Sequence, residues 1–444
     1  MTMQNALDLS VSASVPLSGD LLLPGDKSLS HRAALFAALA EGESVIDRFL
    51  VSGVTRAMLN ALTSLGIAWQ LEGTRLTVRG KGLRGFSQPD APLFCGNSAT
   101  TIRMLAGALS AAGTPCVLDG SAGLRKRPMD RITEPLQRMG VPVTTANACA
   151  PLQLAARAAE QPLRAIDYTL PVASAQVKSC IILAALAAEG VTTLHEPGPS
   201  RDHTERMLAA MGADIRTDAL TVSIAPLTKS LSPLKLGLPG DISSAAFLLV
   251  AGALIAGSSV RIRDVGINPT RTGFLDVLQE MGARIPVENQ RWVAGELIGD
   301  ITLKAAPLRA IRVRGNTVVR MIDEFPVFAI AACFATGTTD VFDAEELRYK
   351  ETDRISVLCG ELRKLGVQLD ERKDGFTIHG GTLRGGACEA HGDHRLAMSL
   401  ALAGLAAPSS VTVHHAEILT ESFPDFTTQL RSLGATVCES TTSA

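Results

Sequence analysis

The stretch GDKSLSHRAALFAALAEG, Gly25–Gly42, decides the fold. It opens on a small polar cluster holding one Lys, two Ser, one His and one Arg. It then becomes an Ala- and Leu-rich run and stops at glycine. An apolar run with no polar face predicts a buried helix. Asp and Ser at its start are amino-terminal caps, and the closing glycine suits a carboxyl-terminal one. Five relatives follow along the chain, starting at Cys95, Ala173, Gly240, Ile322 and Gly392. Each opens on polar residues, runs roughly three turns of Ala-rich helix, and leads into a β-like segment.

A second element alternates with the first. TRAMLNALTSLGI, DRITEPLQRMGV, DHTERMLAAMGADI, TRTGFLDVLQEMGARI, ETDRISVLCGELRKLGVQL and DFTTQLRSLGATV all end in Leu-Gly or Met-Gly plus an aliphatic residue. Their apolar residues recur at the spacing of one helix face, which predicts amphipathic helices that end at glycine. Short strands follow, such as Leu76–Val78 and Leu220–Ser223. The chain is thus six copies of one α/β unit, three to a domain. LPGD occurs twice, at Leu23–Asp26 and Leu238–Asp241, and marks the expected crossovers. One domain is expected over residues 23–240, the other over 1–22 plus 241–444, with the β-like DLSVSA near the start pairing with the carboxyl-terminal half.

Composition excludes several functions. The 444 residues are 46% hydrophobic and 19% charged, with 42 basic and 44 acidic side chains. That balance gives no basic excess for nucleic acid. The longest apolar runs, such as Ala245–Ala256, are too short to span a bilayer. Nor does the start read as a secretory signal. Eight cysteines are scattered singly and eight histidines form no ligand pattern. The thiols read as reduced and cytoplasmic, and no metal is expected.

Capping explains the Ser, Asp and Asn at the helix starts; it does not explain the cations beside them. Lys27, Arg32, Arg103, Arg127, Lys178, Arg201, Arg354 and Arg395 all lie near such starts. Helix amino termini attract anions, and Arg binds carboxylate and phosphate in bidentate fashion. Asp323, Glu324, Glu351, Asp353 and Asp393 lie at repeat-equivalent places. Several cations with a few carboxylates suit acid–base chemistry on an anionic substrate.

At this point a resemblance carries further. LPGDKSLSHRA, GNSATTIR, LRKRPMDR, LPVASAQVKS, EPGPSRDHTERML, LPGDISSAAF, NPTRTG, MIDEFP, ELRYKETDR, GDHRLAM and SFPDF occur in order over essentially the whole chain. In them the chain closely resembles the 5-enolpyruvylshikimate-3-phosphate (EPSP) synthase family. The resemblance implies an inside-out α/β barrel in each of two domains, with buried helices and outer sheets. It implies transfer of the enolpyruvyl group of phosphoenolpyruvate to the 5-hydroxyl of shikimate 3-phosphate in the shikimate pathway. Lys27, Ser28, Arg32, Ser174, Gln176, Arg201, Asp323 and Lys350 would hold shikimate 3-phosphate. Lys27, Asn97, Ala99, Arg127, Gln176, Arg354 and Arg395 would line the phosphoenolpyruvate site. Asp323 is placed as base for the hydroxyl, with Glu351 and Lys27 as candidates for proton transfer at carbon. The expected partners are these two small molecules, acting on a monomer with no cofactor, nucleic acid or membrane.

Four residues at three places depart from the family pattern. Gly53 and Val54 stand where an acidic stretch is usual; Glu421 stands where one branch has Lys and another a small hydroxyl residue; Ala99 replaces a usual Gly. Ala at that last position is a feature of members that tolerate glyphosate, so tolerance is expected. The sister family acting on UDP-N-acetylglucosamine carries a Cys in its loop, whereas GSAGLRKRPMD has none. Transfer to another acceptor, and a catalytically silent phosphate-ligand binding homologue, are the alternatives.

Overall fold

The computed structural model describes residues 6–157, 161–381 and 383–442. The chain divides into two compact units. One comprises Met1–Pro24, Gly240–Arg291 and Leu297–Ala444; the other comprises Gly25–Pro239 and Trp292–Glu296. Both main breaks fall at the Pro-Gly bond inside LPGD, a residue or two from the division drawn on sequence. The short Trp292–Glu296 segment belongs to the second unit, which no composition signal marks.

Among the described residues the strands form six four-stranded sheets, and each sheet has the same plan. A first strand runs parallel to a second, with a helix between or a chain return; two antiparallel strands complete the sheet. In the clearest copy, strand Leu93–Phe94 leads through helix Ala99–Ala112 to the parallel strand Cys116–Asp119. Helix Asp130–Arg138 follows, then the hairpin Val143–Ala146 and Cys149–Leu154, whose second strand pairs with Cys116–Asp119.

Two sheets are closed by a strand lying immediately before an LPGD. Ser18–Leu22 runs parallel to Ser259–Gly266 in the first unit, and Lys235–Gly237 runs parallel to Glu41–Asp47 in the second. The equivalence of the two LPGD segments thus reflects two equivalent closures. Strand Ala6–Ser12 lies between Val411–His414 and Thr436–Thr442, so the amino-terminal strand completes the last sheet.

The Ala-rich helices are the interior. Phe325–Cys333 and His394–Ala403 are buried at every residue, and Lys27–Leu39 from Leu29 onward. Small side chains let these helices approach closely. A Cβ on Gly107 would lie 2.2 Å from the Cys180 carbonyl oxygen on helix Ala175–Ala185, so only glycine fits that crossing. The amphipathic helices cover the interior and stop where the sequence places their glycines. Gly66, Gly140, Gly212, Gly282, Gly366 and Gly434 all have positive φ, the conformation that ends a helix without a Cβ clash. No described helix is long and apolar enough to cross a membrane.

Candidate active site

The second unit places Lys27, Ser28, Asn97, Ala99, Arg127, Ser174, Gln176 and Arg201 at helix starts and adjoining loops. Lys27 and Ser28 open helix Lys27–Leu39, whose cap Asp26 accepts from the Leu29 amide at 2.9 Å. Ser98 caps helix Ala99–Ala112, and Ser174 caps helix Ala175–Ala185. Asn97 accepts from Ser121 Oγ at 3.0 Å, which ties it to the loop that carries Arg127. Arg127 is buried, and Arg201 is half-buried ahead of helix His203–Ala210. Gln176 is held from two sides: it accepts from Arg103 Nη1 at 2.5 Å and donates to Thr100 Oγ1 at 3.0 Å.

Two of the cations read as a possible anion cleft have other work. Arg103 spends its guanidinium on Gln176 and on the Pro128 carbonyl at 2.9 Å. Lys178 lies inside the unit, 2.6 Å from both Glu196 and Glu205. Burial alone would lower its pKa, but the two carboxylates outweigh burial and raise it. Lys178 is therefore an internal ion-pair residue and not a cleft cation. The separation of Lys178 from Glu196 and Glu205 along the chain hides this from a local reading.

Arg32 is only 3% exposed. It donates from Nε to Thr204 Oγ1 at 2.8 Å, from Nη1 to the Ser28 carbonyl at 3.1 Å, and from Nη2 to Ser179 Oγ at 2.9 Å. Burial lowers its pKa to about 10.

His31 joins two of these helix starts. Its Nδ1 lies 2.8 Å from the Lys27 carbonyl and its Nε2 lies 3.2 Å from Ser98 Oγ. A carbonyl can only accept, so Nδ1 carries the proton and Nε2 takes the Ser98 hydroxyl proton. Burial pushes the His31 pKa down to about 4, from 6.5. The folded form holds a neutral ring while the unfolded chain takes up a proton below pH 6.5, so acid favours unfolding. Stability from His31 is complete above pH 6.5 and is lost as pH falls towards 4. The full loss is about 3 kcal/mol. Denaturant unfolding between pH 7 and pH 4 should show a shallower pH dependence in His31→Asn than in wild type. Equal slopes would contradict this.

The first unit holds the carboxylates. Asp323 lies just ahead of helix Phe325–Cys333. Its carboxylate is 3.5 Å from Arg354 Nη1, 3.7 Å from Arg395 Nη2 and 3.9 Å from Lys350 Nζ. Arg354, 1% exposed, also donates to Asp393 at 2.7 Å and to Glu351 at 2.5 Å. Burial alone would lower its pKa; Asp393, Glu351 and Asp323 outweigh that and raise it. Asp393 caps helix His394–Ala403, accepting from the Arg395 amide at 2.9 Å while holding Arg354. The sequence marks Asp393 as a carboxylate at a helix start, but its pairing with Arg354 needs the fold.

Behind this group lies a second buried network. Arg271 Nη2 donates to Ser243 Oγ at 2.9 Å and lies 3.3 Å from Asp241. Ser243 in turn donates to Glu324, the neighbour of Asp323. The motif NPTRTG thus supports LPGDISS and MIDEFP from within the unit.

The EPSP synthase (3-phosphoshikimate 1-carboxyvinyltransferase) family profile matches residues 11–430. The chain belongs to the EPSP synthase family. It is similar to the 3-phosphoshikimate 1-carboxyvinyltransferase of Syntrophomonas wolfei, 46% identical over 424 residues that cover 95% of this chain and 98% of that protein. The enzyme of the same name from Methylococcus capsulatus is 45% identical over 422 residues, covering 94% of this chain and 95% of that one. EPSP synthase from Acinetobacter baumannii has a similar structure, with a TM-score of 0.87 at 40% identity, covering 98% of this chain and 100% of that chain. The six-sheet architecture with helices inside is the EPSP synthase fold, and the chain is an enzyme of that family.

The three departures have definite places in the EPSP synthase fold. Gly53 is the first residue of helix Gly53–Ser64, which Ser52 and Thr55 close with a reciprocal capping box. The exchange there leaves a well-formed helix start. Ala99 is the first residue of its helix and is 3% exposed. Glu421 is half-buried at the end of the short helical turn Ala416–Glu421.

Proposed function

We propose that the chain transfers the enolpyruvyl group of phosphoenolpyruvate to the 5-hydroxyl of shikimate 3-phosphate and releases phosphate. The observation that carries this reading is the Asp323 carboxylate with Lys350, Arg354 and Arg395 within 4 Å, in a member of the EPSP synthase family. A carboxylate beside three cations suits a base that must work on an anionic substrate. It takes the proton of the attacking hydroxyl while the cations orient and stabilise developing negative charge.

In the first step the 5-hydroxyl oxygen bonds to the central carbon of phosphoenolpyruvate. Asp323 receives the hydroxyl proton, and the methylene carbon receives one from Lys27 or Glu351. The tetrahedral intermediate then loses phosphate and one methyl proton, which restores the vinyl group. Lys27, Ser28, Arg32, Ser174, Gln176, Arg201, Asp323 and Lys350 serve shikimate 3-phosphate; Lys27, Asn97, Ala99, Arg127, Gln176, Arg354 and Arg395 serve phosphoenolpyruvate. The enzyme works as a cytoplasmic monomer on these two small molecules. Phosphorus magnetic resonance of the protein with both substrates tests the reading. Inorganic phosphate and a new phosphorylated product should appear together. Unchanged substrate signals with folded protein would reject it.

Glyphosate tolerance belongs to the same reading. Glyphosate is longer than phosphoenolpyruvate, and the Ala99 methyl group adds volume at a tightly packed helix start. Overpacking of this kind costs about 1–3 kcal/mol, or roughly one to two powers of ten in affinity. Ala99→Gly should therefore lower the glyphosate inhibition constant by about tenfold or more, with a smaller change in KM for phosphoenolpyruvate. A glycine variant that is no more sensitive would overturn the steric argument.

A further inference from the structure

Arg32 and Arg354 are both buried guanidinium groups in the two sets of site residues, but their partners differ in kind. Arg354 is surrounded by the carboxylates of Asp393, Glu351 and Asp323. Each hydrogen bond from Arg32 goes to a neutral oxygen, from Thr204, Ser179 or the Ser28 carbonyl. The hydroxyl protons can be assigned consistently. Ser179 Oγ donates to the Ala175 carbonyl at 2.6 Å, and Thr204 Oγ1 donates to Ser179 Oγ, also at 2.6 Å. Both hydroxyl oxygens are then left as acceptors for Arg32. Three helices, Lys27–Leu39, Ala175–Ala185 and His203–Ala210, each contribute one member of this circuit.

The carboxylates that act on Arg32 are engaged elsewhere in the same unit: Asp26 caps the helix and accepts from the Leu29 amide. Glu205, next to Thr204, is 2.6 Å from Lys178, and Glu296 is 2.7 Å from His203. Arg32 is thereby fixed in direction with no carboxylate bonded to it among the described residues, and two of its five N–H groups remain for an anion. Burial without a carboxylate in hydrogen-bond contact among the described residues makes that charge strong towards a ligand. The lowered pKa of Arg32 is caused chiefly by burial, which outweighs the attraction of the Glu205, Asp26 and Glu296 carboxylates.

We propose that Thr204 and Ser179 are positioning residues that hold Arg32, through neutral hydroxyl groups and not through a bonded carboxylate, as a cation for the anionic groups of shikimate 3-phosphate. This rests on the reading of Arg32 as a ligand of that substrate. Lys178 has a supporting part, since it engages Glu205, the acid that acts most strongly on Arg32.

Thr204→Val and Ser179→Ala each remove one acceptor with little change in volume. Each should weaken shikimate 3-phosphate binding about tenfold, equal to about 1.4 kcal/mol, by calorimetric titration and by KM. KM for phosphoenolpyruvate and kcat should change less than threefold. Thr204→Ser, which keeps the hydroxyl, should restore binding to near the wild-type value. If Thr204→Val folds poorly, Ser179→Ala gives the same comparison. Wild-type binding in the folded Val and Ala variants overturns the inference alone. So does a fall in kcat with shikimate 3-phosphate affinity unchanged. A wild-type protein that binds no shikimate 3-phosphate overturns this inference together with the proposed function.

Discussion

Asp323→Ala should lower kcat for phosphate release about a thousandfold, within the span expected for loss of a positioned acid–base group, and leave the fold intact. Asp323 stands between Lys350, Arg354 and Arg395, ahead of a helix buried along its whole length. The side chain itself is partly exposed, and it is one of three carboxylates around Arg354. Its removal leaves Arg354 paired with Asp393 and Glu351, while Arg395, also buried, loses a carboxylate at 3.7 Å. Asp323→Asn separates basicity from shape, since the amide keeps the size and an acceptor but cannot take the proton. Both variants should stay folded, at a cost of about 1–3 kcal/mol for withdrawing one partner from two buried cations. A kcat within tenfold of wild type in either variant would remove Asp323 from the chemistry.

Arg354→Met should act on the fold as strongly as on activity. Asp393 is fully buried, at 0% exposure, and Arg354 is its partner at 2.7 Å. Breaking a buried pair on one side leaves the other charge without compensation, which costs about 3–5 kcal/mol. Asp393 also caps its helix, so its neutralisation alone would weaken that helix start by about 1 kcal/mol. A double-mutant cycle distinguishes the two contributions. Arg354→Met combined with Asp393→Asn should be more stable than Arg354→Met alone, because the stranded carboxylate has gone. Denaturant unfolding of the four proteins measures this. Equal stability of Arg354→Met and wild type would mean that the pair does not hold the site together.

The parts legible in the sequence are those governed by local rules. The six helix-ending glycines repeat at a fixed place after an amphipathic run, and each one adopts positive φ. Ser98, Ser174, Asp241 and Asp393 stand before apolar runs, and each caps its helix. The pairs that give the site its character join distant residues. Arg32 and Thr204 are 172 positions apart, and Arg354 and Asp393 are 39 apart. Composition near a helix start cannot tell Lys178, which neutralises two internal acids, from Lys27, which opens a helix. Nor does a local rule reveal that one arginine meets hydroxyl groups and another meets carboxylates. That distinction arises only when the segments that carry these partners pack together.

Phosphate release from phosphoenolpyruvate, measured with no acceptor, with shikimate 3-phosphate and with UDP-N-acetylglucosamine, tests the central claim most directly. The proposed chemistry predicts steady release with shikimate 3-phosphate and only background rates in the other two reactions. Release that is independent of shikimate 3-phosphate, or faster with UDP-N-acetylglucosamine, would contradict it.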